Sequence, residues 1–197
     1  MRLHTKKYKS SEKIHHLEGD FVISSFFNKV SVKKGETEIQ ITLPTSLFEK
    51  IFGFFRISRR LFRLDMCNVF KFKGGVIIIR IGVVYHYNIE KEKLTKTLEL
   101  KQCRNILHQS MCETNEGFLY FGEYGMNPKR DPVNVYRSRD NGKSWEVVYS
   151  FSAGKIRHVH GCYFDKYSNK IWTLTGDFEG ENILQCSDID FDKIEVY

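Results

Sequence analysis

Residues 138–145 read Ser-Arg-Asp-Asn-Gly-Lys-Ser-Trp, and the spacing Ser138-x-Asp140-x-Gly142-x-x-Trp145 leaves this stretch few ways to fold. Short polar side chains such as those of Ser138 and Asp140 hydrogen-bond nearby backbone amides and so nucleate a turn. Gly142 supplies the positive φ that a tight hairpin needs. Trp145 opens the following strand and offers a large apolar plate that pins the turn to a sheet. The flanks agree: Val133-Asn-Val-Tyr136 precedes the turn and Glu146-Val-Val-Tyr149 follows it. The stretch therefore reads as a β-hairpin whose turn is braced from within.

The chain around it repeats. One segment runs Ile106–Met111, Gly117–Glu123, Val133–Ser138 and Glu146–Phe151; a second runs Ile156–His160, Lys170–Asp177, Asn182–Ser187 and Lys193–Tyr197. Each holds four strand-like runs with turn residues between them. Ser138 and Ser187 lie 49 residues apart, a spacing typical of four-stranded repeat units. The second turn, Ser187-Asp-Ile-Asp190, lacks the aligned Asp, Gly and Trp. An earlier unit is expected at Asn68–Phe72, Val76–Ile81, Val83–Tyr87 and Thr95–Leu100, and residues 21–27 and 37–43 also read as strands. Between these groups lies one helix candidate. It follows Pro44, has Ser46 and Glu49 as a capping box, and carries Leu47, Phe48, Ile51, Phe52 and Phe55 on one apolar stripe that is expected to enter the core.

The turn motif and its repeat resemble the Asp box of the BNR-repeat, sialidase-like β-propeller family. The resemblance covers roughly residues 65–197, carried by the Asp box together with the Ile156-Arg-His-Val-His-Gly161 and Thr175-Gly-Asp177 stretches. It implies an all-β fold, a β-propeller of four-stranded antiparallel blades, with one short N-terminal helix. The expected organisation is a loose arm over 1–20, then a partial propeller over 21–197 with blades near 21–64 (irregular), 65–100, 105–151 and 156–197. Propellers close with about four to eight blades. Three to four blades, with Lys193–Tyr197 stopping inside the last, resemble the N-terminal part of a longer propeller. Self-association would be one way to cover the open edges.

In this family the Asp box braces a blade and does not touch substrate. In a four-stranded meander the loop between the third and fourth strands lies at one end, while the second-to-third loop and the connection to the next blade lie at the other. That sorting nominates Arg104, His108, Glu123, Tyr124, Arg130, Arg157, His158, His160, Asp177 and Glu181 for the functional end. His158 and His160 are two apart, so on a strand they share a face with Cβ atoms about 7 Å apart. They suit general acid–base work, or a divalent metal held with a neighbouring carboxylate; no cofactor is expected. Glu123 and Asp177 sit at matching places in successive units, as the paired carboxylates of glycosidic cleavage would. The resemblance implies a Tyr–Glu couple as nucleophile, but Glu123 and Tyr124 are adjacent and point to opposite faces. It also implies an arginine grip on a sugar carboxylate, for which Arg104 and Arg157 are placed, with His108, Arg130 and Glu181 as further substrate contacts. Phe55-Arg-Ile-Ser58 echoes the family's Phe-Arg-Ile-Pro stretch but ends the helix candidate.

Charge narrows the partner class. Residues 1–110 hold 21 Lys and Arg against 10 Asp and Glu, whereas residues 111–197 hold 10 against 14. No nucleic-acid-binding motif accompanies the basic half, so no nucleic-acid partner is expected, while an acidic glycan fits. No apolar run is long enough to span a bilayer, and Met1–Asp20 lacks the apolar segment of a secretory signal, so a cytoplasmic protein without a membrane partner is expected. The five cysteines form no CxxC pair and read as buried thiols. Phosphate-loop, dinucleotide, nucleophile-elbow and zinc-finger signatures are absent. The reading is a propeller that acts on or binds acidic or complex glycans, by hydrolase-like or lyase-like chemistry. Its alternatives are a non-catalytic glycan- or protein-binding propeller and an inactive remnant.

Overall fold

The computed structural model describes residues 12–197. They form four four-stranded antiparallel sheets, each an up-and-down meander in chain order. The chain divides into two compact units, Met1–Cys67 and Asn68–Tyr197.

The first unit carries β1 (Lys13–Glu18), β2 (Phe21–Phe26), β3 (Lys29–Lys34) and β4 (Thr37–Thr42), followed by helices α1 (Leu47–Phe52) and α2 (Arg56–Leu61). Residues 13–18, expected in a loose arm, instead pair with β2; residues 1–11 of that arm lie outside the described residues. β1 reads as polar because it is an edge strand with mostly exposed side chains. The capping box at α1 forms as expected, with Ser46 Oγ accepting from the Glu49 amide and the Glu49 carboxylate accepting from the Ser46 amide. Two short helices replace the single one, the first ending at Gly53. The expected stripe is not core: Leu47 is 73% exposed, Phe48 46%, Ile51 56%, Phe52 36% and Phe55 64%, and neither helix has a buried residue. No described helix is long and apolar enough to cross a membrane.

The second unit carries three sheets. The first is β5 (Cys67–Phe72), β6 (Gly75–Arg80), β7 (Val83–Asn88) and β8 (Lys93–Glu99). The second is β9 (Cys112–Glu113), β10 (Leu119–Gly122), β11 (Val133–Ser138) and β12 (Glu146–Phe151). The third is β13 (Val159–Asp165), β14 (Lys170–Thr175), β15 (Leu184–Ser187) and β16 (Ile194–Val196). The segment ending at Tyr197, expected to stop mid-unit, thus supplies the fourth strand of its sheet. Residues 106–111, expected as a strand, form turns instead: the Ser110 hydroxyl donates to the Leu107 carbonyl, and only the two residues of β9 pair with β10.

The two-residue period of a strand decides how these sheets stack. Phe121 and Tyr120, neighbours on β10, are both wholly buried on opposite faces. Phe121 packs with Ile77, Ile79 and Val84 of the first sheet, and Tyr120 with Val159, Ile171 and Phe191 around the third. The second sheet is therefore covered on both faces around β10, which explains why all four residues of that strand are buried.

The turn of the Ser138 motif is built as its residue types demand. Ser138 Oγ accepts from the Gly142 amide at 2.7 Å. Asp140 Oδ1 accepts from the amides of Lys143 at 3.1 Å and Ser144 at 2.9 Å, and Asp140 Oδ2 from the Ser144 hydroxyl at 2.6 Å. Gly142 sits at φ 77°. Trp145 Nε1 donates to Thr97 Oγ1 of β8 at 3.1 Å, and its ring meets Phe121 edge-on. The turn so ties the second sheet to the first. The degenerate copy keeps the same device one position earlier than the alignment implied, with Asp188 Oδ1 accepting from the amides of Asp192 and Lys193. Arg137, buried on β11, donates to Asp190, Glu146 and the Ile189 carbonyl and ties this second turn to the second sheet.

Candidate functional site

The connections at the end of the sheets opposite the Ser138–Trp145 turn are those from β10 to β11, β12 to β13 and β14 to β15. They bring together five of the nominated residues: Tyr124, Arg157, His158, His160 and Asp177. Gly122 sets the spacing. A Cβ there would fall 2.3 Å from Val159 Cγ1, so only glycine lets β10 and β13 approach this closely. The Val159 amide donates to the Glu123 carbonyl at 2.8 Å, which seats His158 and His160 against the β10–β11 loop. A register shift between Val159 and Gly161 interrupts strand alternation at His160. The two imidazole centroids lie 5.0 Å apart. The Tyr124 ring lies 4.2 Å from that of His158 and 5.8 Å from that of His160.

Asp177 closes the cluster from the β14–β15 loop. Its Oδ2 lies 3.1 Å from His158 Nε2 and its Oδ1 3.1 Å from His160 Nε2. Both Nε2 atoms are shut off from solvent, and neither contact is aligned as an N–H···O hydrogen bond. Asp177 adopts φ 111°, a backbone conformation that side chains rarely take, and strain of this kind gathers at functional sites. His158 Nδ1 lies 3.0 Å from the Gly125 carbonyl, which can only accept, so Nδ1 carries a hydrogen. Burial lowers the pKa of His158, against the opposing pull of the Gly125 carbonyl and the Asp177 carboxylate.

Arg157 lies beside the histidines. Its guanidinium stands 5.4 Å from the Phe178 ring centroid and donates to Met126 Sδ at 3.2 Å, and no carboxylate among the described residues forms an ion pair with it. Arg130 and Glu181 are instead joined to each other at 2.7 Å, while the other Glu181 oxygen accepts from the Arg157 amide at 2.9 Å. Those two residues fix the loops to one another.

Glu123 is also drawn away. Its two oxygens accept from the Asn134 amide at 2.9 Å and the Tyr136 hydroxyl at 3.1 Å, and the residue is 4% exposed. Burial raises its pKa, partly offset by those two donors. The expected pairing of Glu123 with Asp177 as catalytic carboxylates is therefore not what the structure builds: Glu123 turns toward β11 while Tyr124, next in sequence, faces the imidazoles. Arg104 and His108 lie exposed on the β8–β9 connection, the Arg104 carbonyl accepting from Gly82. Sequence reasoning missed the Gly125 carbonyl and the Phe178 ring. The only signal for Phe178 was its place next to Asp177, and a carbonyl leaves none.

No family model matches the chain, and no curated protein does. Solved structures do. The extracellular domain of BT4673, assigned to a one component system of B. thetaiotaomicron, is similar with a TM-score of 0.56 and 12% identity, over 93% of this chain and 22% of that one. The tricorn protease is similar with a TM-score of 0.57 and 13% identity, over 98% of this chain and 18% of that one. The chain thus spans about a fifth of the length of these structures. At such identities the likeness is one of fold: an all-β chain of four-stranded antiparallel sheets.

Proposed function

We propose that these four-stranded sheets are blades of the Asp-box propeller type and that, in the second unit, the end opposite the Asp box binds an acidic glycan. The observation that carries this reading is the convergence of Tyr124, Arg157, His158 and Asp177 from three loops with His160 at the start of β13. An arginine fork without an acidic partner suits a carboxylate. The Phe178 and Tyr124 rings beside it suit a sugar face. The Arg130–Glu181 brace holds the loops in place, so little ordering is needed on binding.

Glycoside hydrolysis is disfavoured. It requires two available carboxyl groups about 5–10 Å apart, and Glu123 and Glu181 are both engaged in bracing. Elimination is the second reading, favoured by a phenol packed on two imidazoles with no free acid pair. There an imidazole takes the proton from the carbon beside a uronate carboxylate, the C–H bonding pair forms a carbon–carbon double bond, the glycosidic C–O bond breaks, and the oxygen of the leaving sugar takes a proton from the Tyr124 hydroxyl, which the imidazole then restores.

The test is calorimetric titration with oligogalacturonate and with a neutral oligosaccharide of equal length. Binding of the acidic ligand only is expected, weakened roughly 10- to 100-fold by Arg157→Ala, as loss of a charged hydrogen-bonded pair implies. Equal binding of both sugars, or an Arg157→Ala variant indistinguishable from the parent, would overturn the proposal. Unsaturated uronate in the mixture would establish elimination.

A further inference from the structure

We infer that His158, His160 and Asp177 form a binding site for one divalent transition-metal ion, with Zn²⁺ the best fitted. This goes beyond the acidic-glycan reading and does not depend on it.

The donors meet as ligands of one ion do. Two imidazole nitrogens and both oxygens of one carboxylate converge, each nitrogen 3.1 Å from an oxygen, and the three residues place ligand atoms within 4.8 Å of one another. Zinc holds nitrogen and oxygen at about 2.0–2.2 Å in a tetrahedron, which puts neighbouring donors roughly 3.4 Å apart. The nitrogen–oxygen contacts are thus close to ligand spacing, while their directions are wrong for hydrogen bonds.

Tautomer sharpens the point. The His158 Nδ1 hydrogen is committed to the Gly125 carbonyl, so the neutral ring presents a lone pair at Nε2. A carboxylate oxygen, which also offers only lone pairs, lies 3.1 Å from that nitrogen with no hydrogen bond joining them. A cation between them turns this repulsion into coordination. The Gly125 carbonyl is then the outer partner that metal-bound histidines commonly have, fixing ring orientation and raising ligand basicity.

The donor set selects the ion. Imidazoles with a carboxylate and no thiolate suit zinc and its first-row neighbours, whereas Mg²⁺ and Ca²⁺ prefer all-oxygen sites. Three protein ligands leave a position open, as in catalytic rather than structural zinc sites. The Tyr124 ring packs against both imidazoles, and the charge of Arg157, next to His158 in the chain, is felt at the His158 ring.

The rival to the metal is a proton shared between imidazole and carboxylate, and one experiment separates them. Chelator-treated protein is titrated with Zn²⁺, and separately with Mg²⁺, by calorimetry and by thermal melting. One Zn²⁺ per chain with a raised Tm is expected, and no Mg²⁺ uptake. Asp177→Asn and His160→Ala should each weaken Zn²⁺ more than about tenfold, whereas His16→Ala, far from the cluster in sequence and outside it, should not. Co²⁺ in place of Zn²⁺ should give visible absorption of a four- or five-coordinate nitrogen–oxygen site in the parent, and lose it in Asp177→Asn. Sub-stoichiometric Zn²⁺, affinity unchanged in Asp177→Asn, or loss on His16→Ala would each overturn the site. Oligogalacturonate binding by the chelator-treated protein keeps the two proposals apart, because it can persist without zinc and can fail while zinc still binds.

Discussion

Phe121→Ala is expected to lower the free energy of unfolding by about 3–5 kcal/mol, the range for deleting a buried aromatic ring. The ring is wholly buried, stacks on Tyr136 at 5.2 Å and meets Trp145 edge-on at 4.9 Å. It lies between two sheets, in contact with residues of β6 and β7 on one side and of β10 and β11 on the other. Those sheets are hydrogen-bonded internally but joined to each other by side chains, so the cavity would open at their interface. Urea denaturation measures the loss. A cost below about 1 kcal/mol, the level of a surface substitution, would mean that the sheets are not docked through this ring.

Gly142→Ala is expected to cost about 2–5 kcal/mol, from two separate effects. The backbone is held at φ 77°, where a side chain adds roughly 1–2 kcal/mol. The new Cβ would also fall 2.3 Å from Cδ1 of Ile77, itself wholly buried, which adds the strain of overpacking, about 1–3 kcal/mol. The paired change Gly142→Ala with Ile77→Val, which removes that methyl, should recover part of the second effect but none of the first. Denaturation of single and double variants by urea separates them. No recovery in the double variant would place the whole cost in the backbone.

How far the chain could be read from its letters follows from what kind of force sets each feature. The Ser138–Trp145 turn was legible because its bonds are local: Ser138 and Asp140 reach amides within four residues. Strand alternation with turn residues marked the repeated meanders for the same reason. β1 was not legible, since an edge strand with polar side chains carries little period-2 signal. The α1 stripe was misassigned to the core because amphipathic spacing reports a face but not what covers it. At the site, the meander rule sorted the loops to one end, and Tyr124, Arg157, His158, His160 and Asp177 do converge there. The separate fate of Glu123 was not readable: whether a carboxylate faces a ligand or a neighbouring strand depends on Asn134 and Tyr136, eleven and thirteen residues away across the sheet. The same limit hid Glu181, whose partners are Arg130 and the Arg157 amide on other loops.

The central claim is that the two ends of these sheets have different jobs, with bracing at Ser138–Trp145 and binding at Tyr124, Arg157, His158, His160 and Asp177. The most direct measurement is amide chemical-shift mapping by NMR during titration with oligogalacturonate. Shifts gathered at Tyr124, Gly125, Arg157–His160 and Asp177–Phe178, with Ser138–Trp145 unmoved, are the predicted result; shifts centred on Ser138–Trp145, with the histidine end unmoved, would contradict it.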